Sequence, residues 1–195
     1  MKVKAFAVSV ATSAAVLGIG AGSSMAATLY TTKAHTKAVK VGTKAVGSSG
    51  VVSLYSGSSK VNSCKSSKLN LKLTQNSGGT VAASITGGTF SGCNLATTIN
   101  APWTPGLQVS GSGVASGANT VWSNTSVDGV SVNFAGGTYT GNLTTNIVAE
   151  ESTTKGAPLT LKLTQAGTLS GPLTTDGTVV ATYKLTGAAA KYSLG

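Results

Sequence analysis

The chain is poor in the residues that most often carry out catalysis. Its 195 residues include four acidic side chains, one histidine and no arginine. Most hydrolytic sites need a histidine base or a pair of carboxylates, so this chain has few ways to build one. Lysine is left as the cationic side chain, and it suits diffuse attraction to anions better than bidentate recognition of a phosphate or carboxylate.

Aromatic residues are also scarce, at 5% of the chain. The core must therefore be built mainly from Leu, Val, Ile and Ala. Trp103 lies between Pro102 and Pro105, and Trp122 follows Val121. An exposed indole ring at either position would be suited to stacking on a sugar or another ligand, whereas a buried one would close an end of the core. The sequence leaves both interpretations open.

Long hydrophobic runs are missing after the first 26 residues. Lys2 and Lys4 precede an apolar run from Ala5 to Ile19, and Ser24-Met25-Ala26 follows. This order is typical of a secretory signal peptide and predicts cleavage after Ala26. The run is short and rich in Ala and Gly for a membrane span, although an uncleaved N-terminal anchor is the alternative. We therefore expect a secreted or cell-surface protein with no transmembrane span in its mature chain.

Cysteine is limited to Cys64 and Cys93. An even count in an exported protein predicts a disulfide bond, here closing a loop of about 30 residues. Two distant cysteines and one histidine do not supply the four ligands of a structural zinc site. No metal site and no cofactor are predicted.

Alternating apolar and polar residues begin after Val51. This period of two is typical of strands with one buried face and one solvated face. The alternating segments are 69–73, 81–85, 130–134, 159–163 and 179–185. Turn signals separate them at Asn76–Gly79, Asp128-Gly129 and Asp176-Gly177. The pattern predicts an all-β fold, an antiparallel sandwich or barrel, over a single domain at 51–195.

Residues 27–50 have a different composition. They contain few large apolar residues besides Leu29 and Tyr30, and they end in Gly47-Ser48-Ser49-Gly50. We expect a flexible basic arm over 27–50 that is joined to the β-domain by this glycine-containing hinge. The alternative is a helix that forms on a surface, with several lysines on one face.

The positive charge is distributed unevenly. The chain has a net charge of +10. Residues 27–75 contain lysines and no acid, whereas lysines and acids balance over 76–195. The lysines that predict an electrostatic binding surface are Lys33, Lys37, Lys40, Lys44, Lys60, Lys65, Lys68 and Lys72. The expected partners are anionic cell-envelope polymers or acidic glycans; nucleic acid is not expected, and the oligomeric state is left open.

The titratable residues do not form a recognisable catalytic pattern. His35 lies in the lysine-rich segment and is expected to be solvated. Asp128 and Asp176 each precede a glycine, as turn residues do, and Glu150-Glu151 lie in a polar stretch that predicts a loop. A glycosidase-like pair of Asp128 with one of these glutamates is the alternative. The sequence favours a protein that is not an enzyme.

A short set of motifs carries a resemblance. Gly92-Cys93 is followed by Pro102-Trp103, after a Leu-x-Leu-x-Leu strand at 69–73. Over about residues 60–145 this resembles a loose group of small exported bacterial all-β proteins of unknown function. The resemblance implies a secreted all-β fold and no catalytic residues. Members of that group carry further cysteines toward the C-terminus, and this chain does not.

Three functions are consistent with these observations. The favoured one is a non-catalytic secreted or cell-surface β-domain, tethered to anionic envelope polymers through its lysine-rich N-terminal segment. The alternative is a small-ligand carrier or a glycan-binding, lectin-like module. A hydrolase is the third hypothesis and the least supported one.

Overall fold

The computed structural model describes residues 26–195, so the predicted signal peptide at 1–26 lies outside the described residues apart from Ala26. The described chain is all-β, as the alternating pattern predicts. Sixteen strands follow one another within residues 26–195. They are β1 (Leu29–Tyr30), β2 (Lys44–Ser49), β3 (Val52–Ser56), β4 (Ser59–Cys64), β5 (Ser66–Ser77), β6 (Thr80–Ser91), β7 (Thr98–Ile99), β8 (Trp103–Ser110), β9 (Val114–Ser116), β10 (Asn119–Trp122), β11 (Thr125–Phe134), β12 (Gly137–Leu143), β13 (Ile147–Ser152), β14 (Thr160–Gly171), β15 (Thr174–Thr186) and β16 (Ser193–Leu194).

Eight strands close into an antiparallel barrel. Their order around the ring is β2-β5-β6-β8-β11-β12-β14-β15, and β15 then pairs with β2 again. Leu163 of β14 pairs with Ala181 of β15, and Leu185 of β15 pairs with Gly47 of β2. Of the two architectures predicted, the structure is therefore the closed barrel.

The remaining strands lie outside this ring. β3 pairs with the first half of β15, whereas β2 pairs with its second half. β4 then pairs with β3. β13 pairs with β14, and β10 and β9 follow it in order. β7 pairs with β11. A short 3-10 turn at Gly187–Lys191 leads from β15 to β16.

Side chains alternate between the inside and the outside of the barrel. In β5, Leu69, Leu71 and Leu73 are buried, whereas Lys68 and Lys72 are exposed. Burying one leucine side chain contributes roughly 1.5–3 kcal/mol, and seven strands of the ring add buried hydrophobic residues to one interior cluster, to which β2 adds the partly buried Ala45. The inside of the wall is thus hydrophobic and its outside is polar.

One aromatic pair fills part of this interior. The rings of Phe134 and Tyr139 are stacked with their centroids 3.9 Å apart. The Tyr139 hydroxyl accepts a hydrogen bond of 2.9 Å from the backbone N–H of Leu173. Because Leu173 belongs to the turn between β14 and β15, this bond fixes that turn to the core.

Two of the predicted turns lie within strands instead. Asp128-Gly129 lies inside β11, where the pairing with β12 shifts between Val127 and Val130. Gly129 has φ 68°, the left-handed conformation that a β-bulge of this type requires. Asp-Gly suits a bulge as well as a turn, which is why the sequence signal was misleading. Asp176 and Gly177 lie within β15, three residues or more after the actual turn at 172–173.

The prediction of a flexible arm over 27–50 differs from the structure. β2 is a barrel strand with partners on both sides. Ala27, Leu29 and Val39 are buried in a second hydrophobic cluster. The segment contains few large apolar residues because the large side chains of its partner strands fill the space beside it. Gly47, for example, lies against the side chain of Leu71.

The two ends of the described chain are held together. β1 pairs with β16, and the backbone of Thr28 exchanges hydrogen bonds of 2.8 and 3.0 Å with that of Gly195. The Asn76 side chain also donates to the carbonyl oxygens of Leu29 and Val39 at 2.8 and 2.9 Å. The N-terminal segment is thereby fixed over one end of the barrel, above the second hydrophobic cluster.

The predicted disulfide bond between Cys64 and Cys93 is confirmed, and it links the end of β4 to the segment after β6. Replacing both residues by alanine should lower the free energy of unfolding by about 3–4 kcal/mol, because the unfolded chain regains the freedom of the closed loop. Denaturant unfolding followed by circular dichroism measures this difference. The natural protein, unfolded under reducing conditions, is the control and should behave like the variant. A loss below about 1 kcal/mol would contradict the loop-closure account.

Candidate functional site

Four lysines lie together on the outside of three neighbouring barrel strands. Lys44 of β2 pairs with Lys72 of β5, and Ser48 of β2 pairs with Lys68 of β5. On its other side, Ser48 pairs with Lys184 of β15. Directly paired residues point to the same face of a sheet, so these side chains all point outward. We call this set, Lys44, Lys68, Lys72 and Lys184, the lysine face.

The spacing of the lysines on this face is comparable to the range of electrostatic forces. Neighbouring strands are about 4.8 Å apart and each residue advances about 3.3 Å. Lys68 and Lys184 are therefore about 10 Å apart across the wall, and Lys68 and Lys72 about 13 Å apart along β5. Charges are screened over about 8 Å at physiological salt. A flexible anionic polymer that crosses this wall would contact several of the ammonium groups at once.

No acid neutralises this face among the described residues. Asn70, between Lys68 and Lys72 on β5, is uncharged, and Val46 lies opposite it on β2. Within residues 26–195, an ion pair forms between β14 and β13, where Lys162 Nζ lies 2.6 Å from Glu150 Oε2. Neither of these residues belongs to the lysine face. The four positive charges of the lysine face are therefore available to an external partner.

The aspartates have structural partners elsewhere. The carboxylate of Asp128 accepts hydrogen bonds from Gln108 Nε2 at 2.8 Å and from Ser126 Oγ at 2.9 Å. Asp176 accepts one of 2.6 Å from Thr174 Oγ1. These bonds stabilise the bulge in β11 and the start of β15.

The glutamates lie in β13, where the sequence predicted a loop. Glu150 forms the ion pair described above, and Glu151 accepts a hydrogen bond of 2.6 Å from the backbone N–H of Leu194. Burial raises the pKa of Glu151, opposed by this hydrogen bond and by the charges of His35 and Lys33. Glu151 thus anchors β16 to the barrel.

His35 is not the solvated tail residue that the sequence predicted. Its ring is stacked on Tyr30 with a centroid distance of 4.8 Å. Nε2 of His35 is buried without a hydrogen-bond partner. The cause is the pairing of β1 with β16, which brings the C-terminal residues against this ring.

The eight lysines predicted as an electrostatic surface do not all lie together. Lys44, Lys68 and Lys72 belong to the lysine face. Lys33 binds the backbone oxygens of residues 152 and 154, and the side chain of Lys65 lies over residue 92. The others are exposed and lie outside the three strands β2, β5 and β15: Lys37, Lys40 and Lys60.

Lys184 was missed by the sequence reasoning. Its outward position could have been inferred, because Val179, Ala181 and Tyr183 alternate with polar residues on β15. Its place beside Ser48 could not, since that contact depends on a pairing between residues far apart in the sequence.

Both tryptophans are buried, so neither ring is exposed for stacking on a ligand, and the second of the two interpretations, a ring packed in the core, matches the structure. Trp103 is 4% exposed and Trp122 is 1% exposed. Trp103 Nε1 donates a hydrogen bond of 2.9 Å to the carbonyl oxygen of Ser131. With so few aromatic residues, the protein uses these two rings to fill its core.

Comparisons of the chain with protein-family models, with curated proteins and with solved structures give no match. In residues 26–195, no helix is long and apolar enough to cross a membrane. Within the same residues, no three side chains of His, Cys, Asp or Glu lie close enough together to hold a metal ion.

The burial of one tyrosine behind the lysine face can be tested through the pH dependence of stability. Tyr183 donates its hydroxyl hydrogen to Ser67 Oγ at 3.0 Å inside the barrel. Burial raises the pKa of Tyr183 to about 12. Because the unfolded tyrosine ionises near pH 10, its stabilising contribution is complete below pH 10 and is lost as the pH rises toward 12. The free energy of unfolding should fall over this interval.

The Tyr183→Phe variant should show a smaller fall between pH 10 and 12, as measured by denaturant unfolding at a series of pH values. Tyr55→Phe is the matched control, since Tyr55 is only partly buried, and it should keep the slope of the natural protein. Equal slopes for all three proteins would show that Tyr183 ionises as freely in the folded barrel as in the unfolded chain.

Proposed function

We propose that this protein is a non-catalytic, exported β-barrel domain that binds anionic envelope polymers or acidic glycans through its lysine face. The observation that carries the proposal is the direct cross-strand pairing of Lys44 with Lys72, with Lys68 and Lys184 beside them. Like charges placed opposite each other destabilise a sheet. A bound polyanion would remove that repulsion, so the arrangement favours binding over structural roles.

Export is supported by three features. The Cys64–Cys93 disulfide bond is consistent with an extracellular location, because such bonds persist in oxidising surroundings. The predicted signal peptide at 1–26 indicates the same route. The resemblance to small exported bacterial all-β proteins agrees with both.

The proposed mechanism is electrostatic and has little shape specificity. The barrel wall fixes the Cα positions of the four lysines, while their long side chains stay flexible. Lysine ammonium groups act as compact point charges and do not form the planar fork that arginine offers. The protein would therefore recognise repeated negative charge on a polymer, and the affinity would fall steeply as salt is added.

Charge removal on the lysine face tests the proposal. The variant carries glutamine at Lys44, Lys68, Lys72 and Lys184. Each lysine near an anionic surface contributes about 1 kcal/mol, so binding at low salt should weaken at least about tenfold. The probes are heparin, a sulfated glycan, and a poly(glycerol phosphate) polymer, each immobilised and titrated across a salt series.

The matched control removes the same amount of charge from other parts of the surface. It carries glutamine at the exposed residues Lys37, Lys60, Lys155 and Lys191. We expect it to retain most of the affinity of the natural protein. Equal losses in the two variants would mean that only total charge matters, and the lysine face would then not be a binding site.

The repulsion between Lys44 and Lys72 gives a prediction that needs no partner. Lys72→Gln should raise the free energy of unfolding at low salt, because it removes a like-charge pair. The gain should disappear at high salt, where the repulsion is screened. Lys60→Gln, on an exposed residue of β4, is the control and should not stabilise the barrel. A gain that persists at high salt would rule out the electrostatic explanation.

A further inference from the structure

The interior of the barrel contains an apolar cavity of about 130 Å³. Side chains from most strands of the ring line it, among them Leu71, Ile85, Trp103, Val130, Leu163 and Tyr183. Protein interiors are close-packed and rarely leave voids larger than a water molecule. A space of this size in the centre of the fold therefore requires an explanation.

Gly47 accounts for part of this space. It lies on the inner face of β2 and lines the cavity. A Cβ atom placed there would lie 3.6 Å from Leu71 Cδ1 and 3.8 Å from Tyr183 Cδ1, which are ordinary contact distances. Its φ angle is not in the left-handed region. Neither the backbone nor a close neighbour requires glycine here, so the effect of this glycine is to leave room.

Polar groups at the edge of the cavity already have partners. The Tyr183 hydroxyl donates to Ser67 at 3.0 Å, and the indole N–H of Trp103 donates to a backbone oxygen. Asn62 Nδ2 donates to Thr97 Oγ1 at 2.9 Å. An occupant would find hydrocarbon surface and no free hydrogen-bonding group among these, so it must be uncharged and apolar.

The size of the cavity limits the occupant further. A dry, engineered protein cavity of about 150 Å³ lined by aliphatic and aromatic side chains binds benzene or xenon. Eight-stranded barrels have interiors that side chains fill or that hold one small ligand. This barrel lies close to that size.

We propose that the barrel interior is a binding site for one small, uncharged apolar molecule, the size of a single aromatic ring or a short alkyl chain. The site lies on the inner side of the wall that carries the lysine face and uses hydrophobic contact instead of charge, although Lys184 of that face also borders the cavity. It does not depend on the function proposed above, and loss of polyanion binding would leave it unaffected.

The segment between β6 and β7 borders the cavity. Thr97 and Cys64 both line the space. Cys93 is covalently bound to Cys64, and the backbone N–H of Leu95 donates to Asn62 Oδ1 at 3.1 Å. This part of the lining is therefore fixed in place by a covalent bond and a hydrogen bond.

Toluene is the probe, and the two indole N–H signals in nuclear magnetic resonance spectra of the folded protein are the readout. Trp103 lines the cavity, whereas Trp122 belongs to the second hydrophobic cluster. We expect the Trp103 signal to shift with toluene in a saturable way while the Trp122 signal stays in place. No saturable shift of Trp103, or equal shifts of both signals, would overturn the proposal.

Filling the cavity should abolish this response. Gly47→Leu places a side chain in the space and should weaken toluene binding at least tenfold. Gly50→Leu is the matched control: a Cβ at Gly50 meets no atom within 4 Å, so this leucine points away from the barrel and binding should be unchanged. Gly47→Ala adds one methyl group at ordinary contact distances and provides a folded variant with weaker binding if Gly47→Leu does not fold. A folded Gly47→Leu or Gly47→Ala protein that binds toluene like the natural one would place the site elsewhere.

Discussion

The pairing of β15 along both of its edges holds the structure together. On one side it binds β14, with Leu163 opposite Ala181, and on the other it binds β3 and β2. Without this strand the sheet would have two open edges and no enclosed interior. The lysine face depends on it because Lys184 reaches Lys68 only across β2. The cavity depends on it because Tyr183 forms part of its wall.

The two proposed sites are the two faces of one sheet. Along β5, Leu71 points into the barrel and Lys72 points into solvent. The alternation in the sequence therefore places hydrocarbon side chains on the inside of the wall and positively charged side chains on its outside. In the proposed function, such a wall would bind a polyanion without moving, since the strands that carry the lysines are fixed by the packing behind them.

The local features of this fold could be predicted from the sequence, and the long-range ones could not. Alternation identified β5, and Gly78-Gly79 forms the predicted turn into β6 with positive φ angles. The disulfide followed from the cysteine count. The position of β2 in the barrel could not be predicted, because the small residues of 27–50 are buried by partners distant in the chain. Lys184 was missed for the same reason. The bulge at Gly129 was predicted as a turn, because a bulge and a turn require the same backbone conformation.

The closure of the ring also has a consequence for the order of folding. β2 lies near the start of the described chain, and its partner β15 lies near the end. A chain that emerges from the ribosome or from a translocation pore would present β2 with one unpaired edge until β15 follows, and unpaired edges invite pairing with other chains. Contacts between such distant segments also make folding slow. For a chain exported as proposed, staying unfolded until β15 has emerged would keep this edge from being exposed on a partly folded barrel.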